Sequence, residues 1–301
     1  MQALIGLLRT MRPKQWTKNV LFVFPAVIFD GQLTQLEPMM RVSIACVLLI
    51  LMSGTVYIIN DLVDIEKDKQ HPRKKNRPLP SGQLPIRFAQ IAVSFIPVMT
   101  LVIAFWFSQG LFWVLSVYLG IQIAYSFVLK HIVLVDVLVV TSGFVLRVLA
   151  GWIVIDVENF SPWLYACAAL LALFLAVGKR RQELVILGER ALQTRPIFKY
   201  YNLALLDDML RLVTTSTFLT YLIYTIEADI VTYRDIQLAL LSVPFVLYGL
   251  FRYLYIVHVD GEGGAPDEVL LTDRPLQMAI VGWGTTFLIL LYVLPSLGLL
   301  T

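Results

Sequence analysis

The chain has 301 residues, 58% of them hydrophobic and 15% charged, with a formal net charge of +3. So apolar a composition excludes an ordinary soluble domain of this length and marks an integral membrane protein. The small charge excess by itself says little, and no nucleic-acid partner is expected.

Apolar runs long enough to cross a hydrocarbon core of about 30 Å number about nine. They lie near 19–36, 42–60, 88–107, 111–128, 133–155, 162–179, 211–228, 236–256 and 277–298. An all-α, polytopic bundle of about nine transmembrane helices follows, in a single domain over 1–301. Asp30 and Gly31 interrupt the first run, which predicts a tilted or broken helix there. Ahead of it, Arg12, Lys14, Trp16 and Lys18 suit an interfacial anchor. Gln15 and Asn19 suit an anchor poorly, so the competing reading turns Lys18 and Asn19 toward a polar cavity.

The second run leads into a dense block of acids and then bases, Asn60 to Gly82. On a continuing helix Tyr57, Asn60 or Asp61, Asp64 and Asp68 recur along one face. Carboxylates stacked so closely repel one another unless a cation sits among them, and oxygen-only ligands suggest magnesium shared with substrate phosphates. Arg73, Lys74 and Arg77 follow and suit those phosphates. A merely solvated charged loop is the bland alternative; the segregation of acids from bases speaks against it. Pro78, Pro80, Gly82 and Pro85 break the helix and let the loop fold back over the membrane surface. Spans three and four carry no charge and read as lipid-facing wall or packing.

Tyr125 and Lys130 follow span four; a single Lys at a helix end ordinarily snorkels to the interface. Arg147 lies deep in span five, where an ionised side chain is costly unless it faces a partner or a watery cavity. Asp136 is eleven residues before it, about three turns away on nearly the same face and too far for contact; the two are expected to line a polar interior. Span six ends in Gly178-Lys179-Arg180-Arg181-Gln182-Glu183. An exposed Lys179–Glu183 pair and cation-favouring helix C-terminus are the plain reading. Three adjacent bases exceed that need and favour a phosphate or substrate role for Lys179 and Arg180. The Gly-rich acidic stretch 260–268 carries no chemistry in its spacing.

Almost every Lys and Arg falls on the N-terminal segment and the even connections, which places these in the cytoplasm and the C-terminus outside. Cys46 and Cys167 lie inside apolar runs, and His71, His131 and His258 are scattered, so neither type marks a metal site or disulfide.

Asn60-Asp61-x-x-Asp64-x-x-x-Asp68 after the second span resembles the UbiA superfamily of intramembrane prenyltransferases. Most prenyltransferases of that superfamily carry a second Asp-x-x-x-Asp motif after span six; here it is absent and basic Gly178-Lys179-Arg180 stands in its place. The ordered set of Arg12-Pro13-x-Gln15-Trp16-x-Lys18-Asn19, Asn60-Asp61-x-x-Asp64, His71-Pro72, Arg77-Pro78, Tyr125-Ser126-x-x-Leu129-Lys130, Gly143-Phe144-x-Leu146-Arg147, Gly178-Lys179-Arg180 and Asp273-Arg274 covers essentially the whole chain. It resembles the decaprenyl-phosphate phosphoribosyltransferase branch. The resemblance implies transfer of phosphoribose from phosphoribosyl diphosphate to a polyprenyl phosphate at a bacterial inner membrane, with Mg2+. It implies Asp61, Asp64 and Asp68 as catalytic acids, with Asn60 and Asp64 on the metal. Lys18, Tyr57, Arg73, Lys74 and Arg77 would hold the donor, and Lys130, Arg147, Lys179 and Arg180 the lipid phosphate. Asn19, Tyr125, Asp136 and Glu183 would support them; a homo-oligomer is left open. The rival readings are prenyl transfer from a prenyl diphosphate and anion transport.

Overall fold

The computed structural model describes residues 2–70, 74–157, 161–188, 196–227, 232–233, 236–260, 269–270 and 272–297. Among the described residues the fold is all-α, apart from two two-residue strands, Thr232–Tyr233 and Ile236–Gln237, paired antiparallel. Hydrocarbon offers the backbone no hydrogen-bond partner, so spanning segments bond within themselves as helices. Eight described helices are long and apolar enough to cross a membrane. They are Leu36–Val63 (α4), Ile86–Phe107 (α6), Gln109–Phe127 (α7), Val135–Trp152 (α8), Pro162–Leu187 (α9), Leu203–Glu227 (α10), Leu238–Val259, built on Val243–Tyr255 (α11), and Arg274–Ser296, built on Arg274–Leu288 (α12).

The remaining predicted span, 19–36, takes another form. After α1 (Gln2–Thr10), the chain forms α2 (Trp16–Val23) and α3 (Pro25–Phe29). Pro25 has no N–H to continue the helical ladder, so the break falls there, before Asp30 and Gly31. Those two residues form the closing turn, where Gly31 takes φ 72°. From Trp16 to Phe29 the two pieces rise about 21 Å, short of one full crossing. Arg12 bonds Asp61 and Asn19 bonds Ser53, so this broken element runs antiparallel to α4.

Contacts divide the chain into two compact units, Met1–Leu129 with Leu146–Glu158, and Lys130–Val145 with Asn159–Thr301. In the first, α4 packs against α2, α6 and α7. Gly151 on α8 lets that helix meet the α2 backbone: a Cβ there would stand 2.1 Å from the Val23 carbonyl oxygen. Leu7, Met11, Ile58, Leu79 and Leu84 form a buried cluster that pins the loop after Arg77 back onto α1 and α4. Trp106 and Trp113 are 84% and 66% exposed, as lipid-facing walls require.

In the second unit α9 lies along α10, and Val137, Phe174, Val177, Leu206, Leu210 and Tyr253 share one core. Helix α9 runs two turns past the predicted end at 179, to Leu187. The Lys179–Glu183 cluster therefore lies inside a helix, which removes the C-terminal capping explanation for its bases.

Candidate active site

The acidic stretch keeps its helical face. Helix α4 ends at Val63, Asp64 breaks it for one residue at φ −95° and ψ 9°, and α5 (Ile65–Gln70) resumes. Across the break the Asp64 N–H bonds Asn60 O at 3.0 Å and the Asp68 N–H bonds Asp64 O at 2.8 Å. Tyr57, Asn60, Asp61, Asp64 and Asp68 thus stay in sequence along one side of α4 and α5.

Buried carboxylates are tolerable only when paired. Side chains of Asp61 and Asp68 are each 3% exposed, and both are paired. Arg12 Nη2 donates to Asp61 Oδ1 at 2.8 Å. Arg77 Nη1 donates to Asp61 Oδ1 at 3.1 Å and to Asp68 Oδ2 at 2.7 Å, and Lys74 Nζ stands 3.7 Å from Asp68 Oδ1. One guanidinium nitrogen therefore occupies a point between two carboxylates, standing in for a cation there. Half-buried Asp64 makes no ion pair among the described residues. Asn60 Oδ1 accepts from Ser126 Oγ at 2.6 Å. Asn60 and Asp64 offer oxygen ligands of the kind a divalent cation takes when water completes its shell. Among the described residues no three acid, imidazole or thiol groups gather closely enough to hold a metal ion.

Arg12 was not singled out as a donor ligand in the sequence, yet it bonds Asp61 at 2.8 Å within this cluster. Met11 beside it lies on Gly54 of α4, where a Cβ would come within 2.5 Å of Met11 Cε. Trp16 Nε1 donates to Met11 O at 3.2 Å, and the Arg12 guanidinium sits 4.6 Å from the Tyr57 ring centroid. Lys18 is half-buried in the same unit, and Arg73 lies outside the described residues.

Farther along the same unit, Arg147 Nε donates to Asn19 Oδ1 at 2.7 Å and Nη2 to Tyr118 OH at 2.9 Å, while Asn19 Nδ2 donates to Ser53 Oγ at 3.2 Å. The costly cation of span five is thus tied to α2 and α7, and through Asn19 to α4. Sequence reasoning found Arg147 and Asn19 but missed Tyr118 and Ser53, which carry no local polar signal. Tyr125 is half-buried near the end of α7.

The second unit holds its own polar cluster. Arg180 Nε donates to Asp136 Oδ2 at 2.6 Å and Nη1 to Glu183 Oε2 at 2.7 Å. Tyr201 OH donates to Asp136 Oδ1 at 2.7 Å and accepts from the Leu134 N–H at 2.9 Å. Burial, then its bond to Asp136, push the Tyr201 hydroxyl up to about 12. Asp136 is therefore engaged with Arg180 and Tyr201. Arg181 bonds Asp207 and the Val257 carbonyl; Lys179 is exposed and Lys130 half-buried.

Asp273 caps α12 by accepting from the Leu276 N–H at 2.8 Å, and Arg252 Nη2 donates to it at 2.8 Å. Donation from Arg252 foremost holds this carboxyl below its ordinary range. Its contribution is thus present at neutral pH and lost only as pH falls below the usual carboxylate range. Asp273→Ala is expected to cost about 1 kcal/mol, read as a lowered thermal midpoint in detergent.

The UbiA prenyltransferase family model matches residues 22–262. A decaprenyl-phosphate phosphoribosyltransferase of Mycolicibacterium smegmatis is 31% identical over 286 residues, spanning 92% of this chain and 90% of that protein. One from Mycobacterium tuberculosis is 32% identical over 285 residues, spanning 93% and 92%. Among solved structures, a UbiA homolog from Archaeoglobus fulgidus bound to GPP and Mg2+ matches with a TM-score of 0.70 at 17% identity, over 95% of this chain and 99% of that one. Helical membrane fold, whole-length likeness and family match agree, and the chain belongs to the UbiA prenyltransferase family as an integral membrane enzyme.

Proposed function

We propose that the chain transfers 5-phosphoribose from phosphoribosyl diphosphate to a polyprenyl phosphate and releases diphosphate. The observation that carries this reading is the likeness, over nine-tenths of both chains, to relatives named decaprenyl-phosphate phosphoribosyltransferase. The paired acids and bases around Asp61 support it, because a diphosphate donor needs both a cation and phosphate ligands.

Asn60 and Asp64 would hold magnesium, with Asp61 and Asp68 in direct or water-mediated support. When bound, the ion stabilises negative charge on the departing diphosphate. Lys18, Tyr57, Arg73, Lys74 and Arg77 hold the donor phosphates. The bond from ribose C1 to the diphosphate oxygen breaks with its electron pair leaving on diphosphate, and an oxygen of the lipid phosphate bonds C1. That nucleophile is already anionic, so no residue needs to remove a proton. Lys130, Arg147, Lys179 and Arg180 are assigned to the lipid phosphate. Of these, Lys179 is the most exposed, whereas Arg147 and Arg180 are buried among bonded partners and act more through fixed charge than through reach. Asn19 and Tyr125 support the first unit's site, and Asp136 and Glu183 orient Arg180. Positioning and electrostatics supply most of the rate.

Residues 1–301 read as one UbiA-like domain in a bacterial inner membrane, with the N-terminus and the Asn60–Gly82 loop on the cytoplasmic side, where a soluble sugar donor is available. Prenyl transfer is the second reading, favoured by the solved homolog bound to GPP and Mg2+. In membranes carrying the protein, label from phosphoribosyl diphosphate is expected to enter the lipid fraction in a magnesium-dependent way. Failure with every polyprenyl phosphate, alongside transfer from a prenyl diphosphate, would select the second reading.

A further inference from the structure

Arg12 is built into its turn at a backbone cost. Its φ of 55° and ψ of 71° are left-handed, a conformation that L side chains seldom adopt, and Pro13 follows directly. Met11 against Gly54 and the Trp16 bond to Met11 O hold the turn in place. What this geometry delivers is a guanidinium over the Tyr57 ring, 2.8 Å from Asp61, on a side chain still 34% exposed.

Charge shows why such a base matters. Among the described residues of the acidic face, Asp61, Asp64 and Asp68 carry a formal −3, and the bases paired with Asp61 and Asp68, namely Arg12, Lys74 and Arg77, carry +3, so this set balances. A divalent cation arriving alone leaves an excess of two positive charges in a place where two of the acids are buried. A cation arriving with a diphosphate brings the compensating negative charge with it, and offers a displaced guanidinium a bidentate partner. Asp61 Oδ1 already accepts from two guanidinium groups, so Arg12 can leave without stripping that carboxylate bare.

We propose that Arg12 is an exchangeable counter-ion, bonded to Asp61 in the free enzyme and to the diphosphate of the bound donor, which makes cation and diphosphate bind cooperatively. The exchange rests on the cation and diphosphate part of the proposed function, and is indifferent to whether the donor's other half is a sugar or a prenyl chain. Coupling of this kind is reciprocal: each ligand tightens the other by the same factor.

Full-length protein in lipid nanodiscs, titrated with Mn2+ and followed by the electron paramagnetic resonance signal of free Mn2+, provides the test, with inorganic diphosphate as second ligand. After correction for the manganese–diphosphate complex formed in solution, diphosphate is expected to tighten Mn2+ binding by roughly tenfold or more. Arg12→Gln should bind Mn2+ alone several-fold more tightly, because a competing cation is gone, and diphosphate in the presence of Mn2+ roughly tenfold more weakly. Arg12→Lys keeps the charge without the fork and should fall between. A purely structural Arg12 predicts loss in both arms. That result, or unchanged Mn2+ affinity in Arg12→Gln, overturns the proposal; should the Gln variant fail to fold, absence of coupling in the wild type does so equally. Neither ligand contains ribose, so a failed phosphoribosyl assay leaves this outcome untouched.

Discussion

Asp64→Asn is expected to leave the chain folded and to lower transfer by roughly a hundredfold or more. Asp64 is half-buried, makes no ion pair among the described residues, and joins the helical ladder only through its backbone N–H to Asn60 O and its carbonyl to the Asp68 N–H. Asn preserves those bonds and the side-chain volume while removing the charge a cation needs. Asp61→Asn differs, because it would leave Arg12 and Arg77 facing a buried neutral amide, and stability should fall together with activity. Initial rates at saturating magnesium, read beside thermal midpoints in detergent, separate the two. Substantial activity in Asp64→Asn at normal stability would remove Asp64 from the metal site.

The largest stability effect away from the acids is expected at Gly151→Ala. Its Cβ would lie 2.1 Å from the oxygen and 3.0 Å from the carbon of the Val23 carbonyl, and backbone cannot swing aside as a flexible side chain can. Overpacking of this kind costs about 1–3 kcal/mol. Pushing α2 away also draws Asn19, four residues before Val23, off the Arg147 guanidinium it accepts from, leaving a buried cation short of an acceptor. A clear fall in thermal midpoint is the expected result. An unchanged midpoint would mean that α2 is not held against α8 as described.

Both cases show why parts of the site were legible early and others were not. The membrane class and the helical architecture follow from run length alone, since hydrocarbon leaves the backbone no other way to satisfy its hydrogen bonds. The common face of Asn60, Asp61, Asp64 and Asp68 follows from helical periodicity, a local property that survives the one-residue break at Asp64. Even the broken first span was foreseeable, although Pro25 proved the stronger signal and Asp30 with Gly31 only the end of the element.

Which base meets which partner is a different kind of fact. Arg12 reaches Asp61 across 49 residues, Arg180 reaches Asp136 across 44, and Arg147 reaches Asn19 across 128. Lys179, Arg180 and Arg181 are adjacent in sequence, but successive helical residues point about 100° apart. Arg180 therefore turns to Asp136 on α8 and Arg181 to Asp207 on α10, both arginines buried, while Lys179 stays exposed. By itself the sequence determined the membrane helices and the acidic face, because those depend on neighbours within a turn or two. Only the tertiary structure decided that Arg12 pairs with Asp61 on that face and that Tyr118, Ser53 and Tyr201 complete the buried networks, because partners so far apart in the chain are chosen by how helices pack.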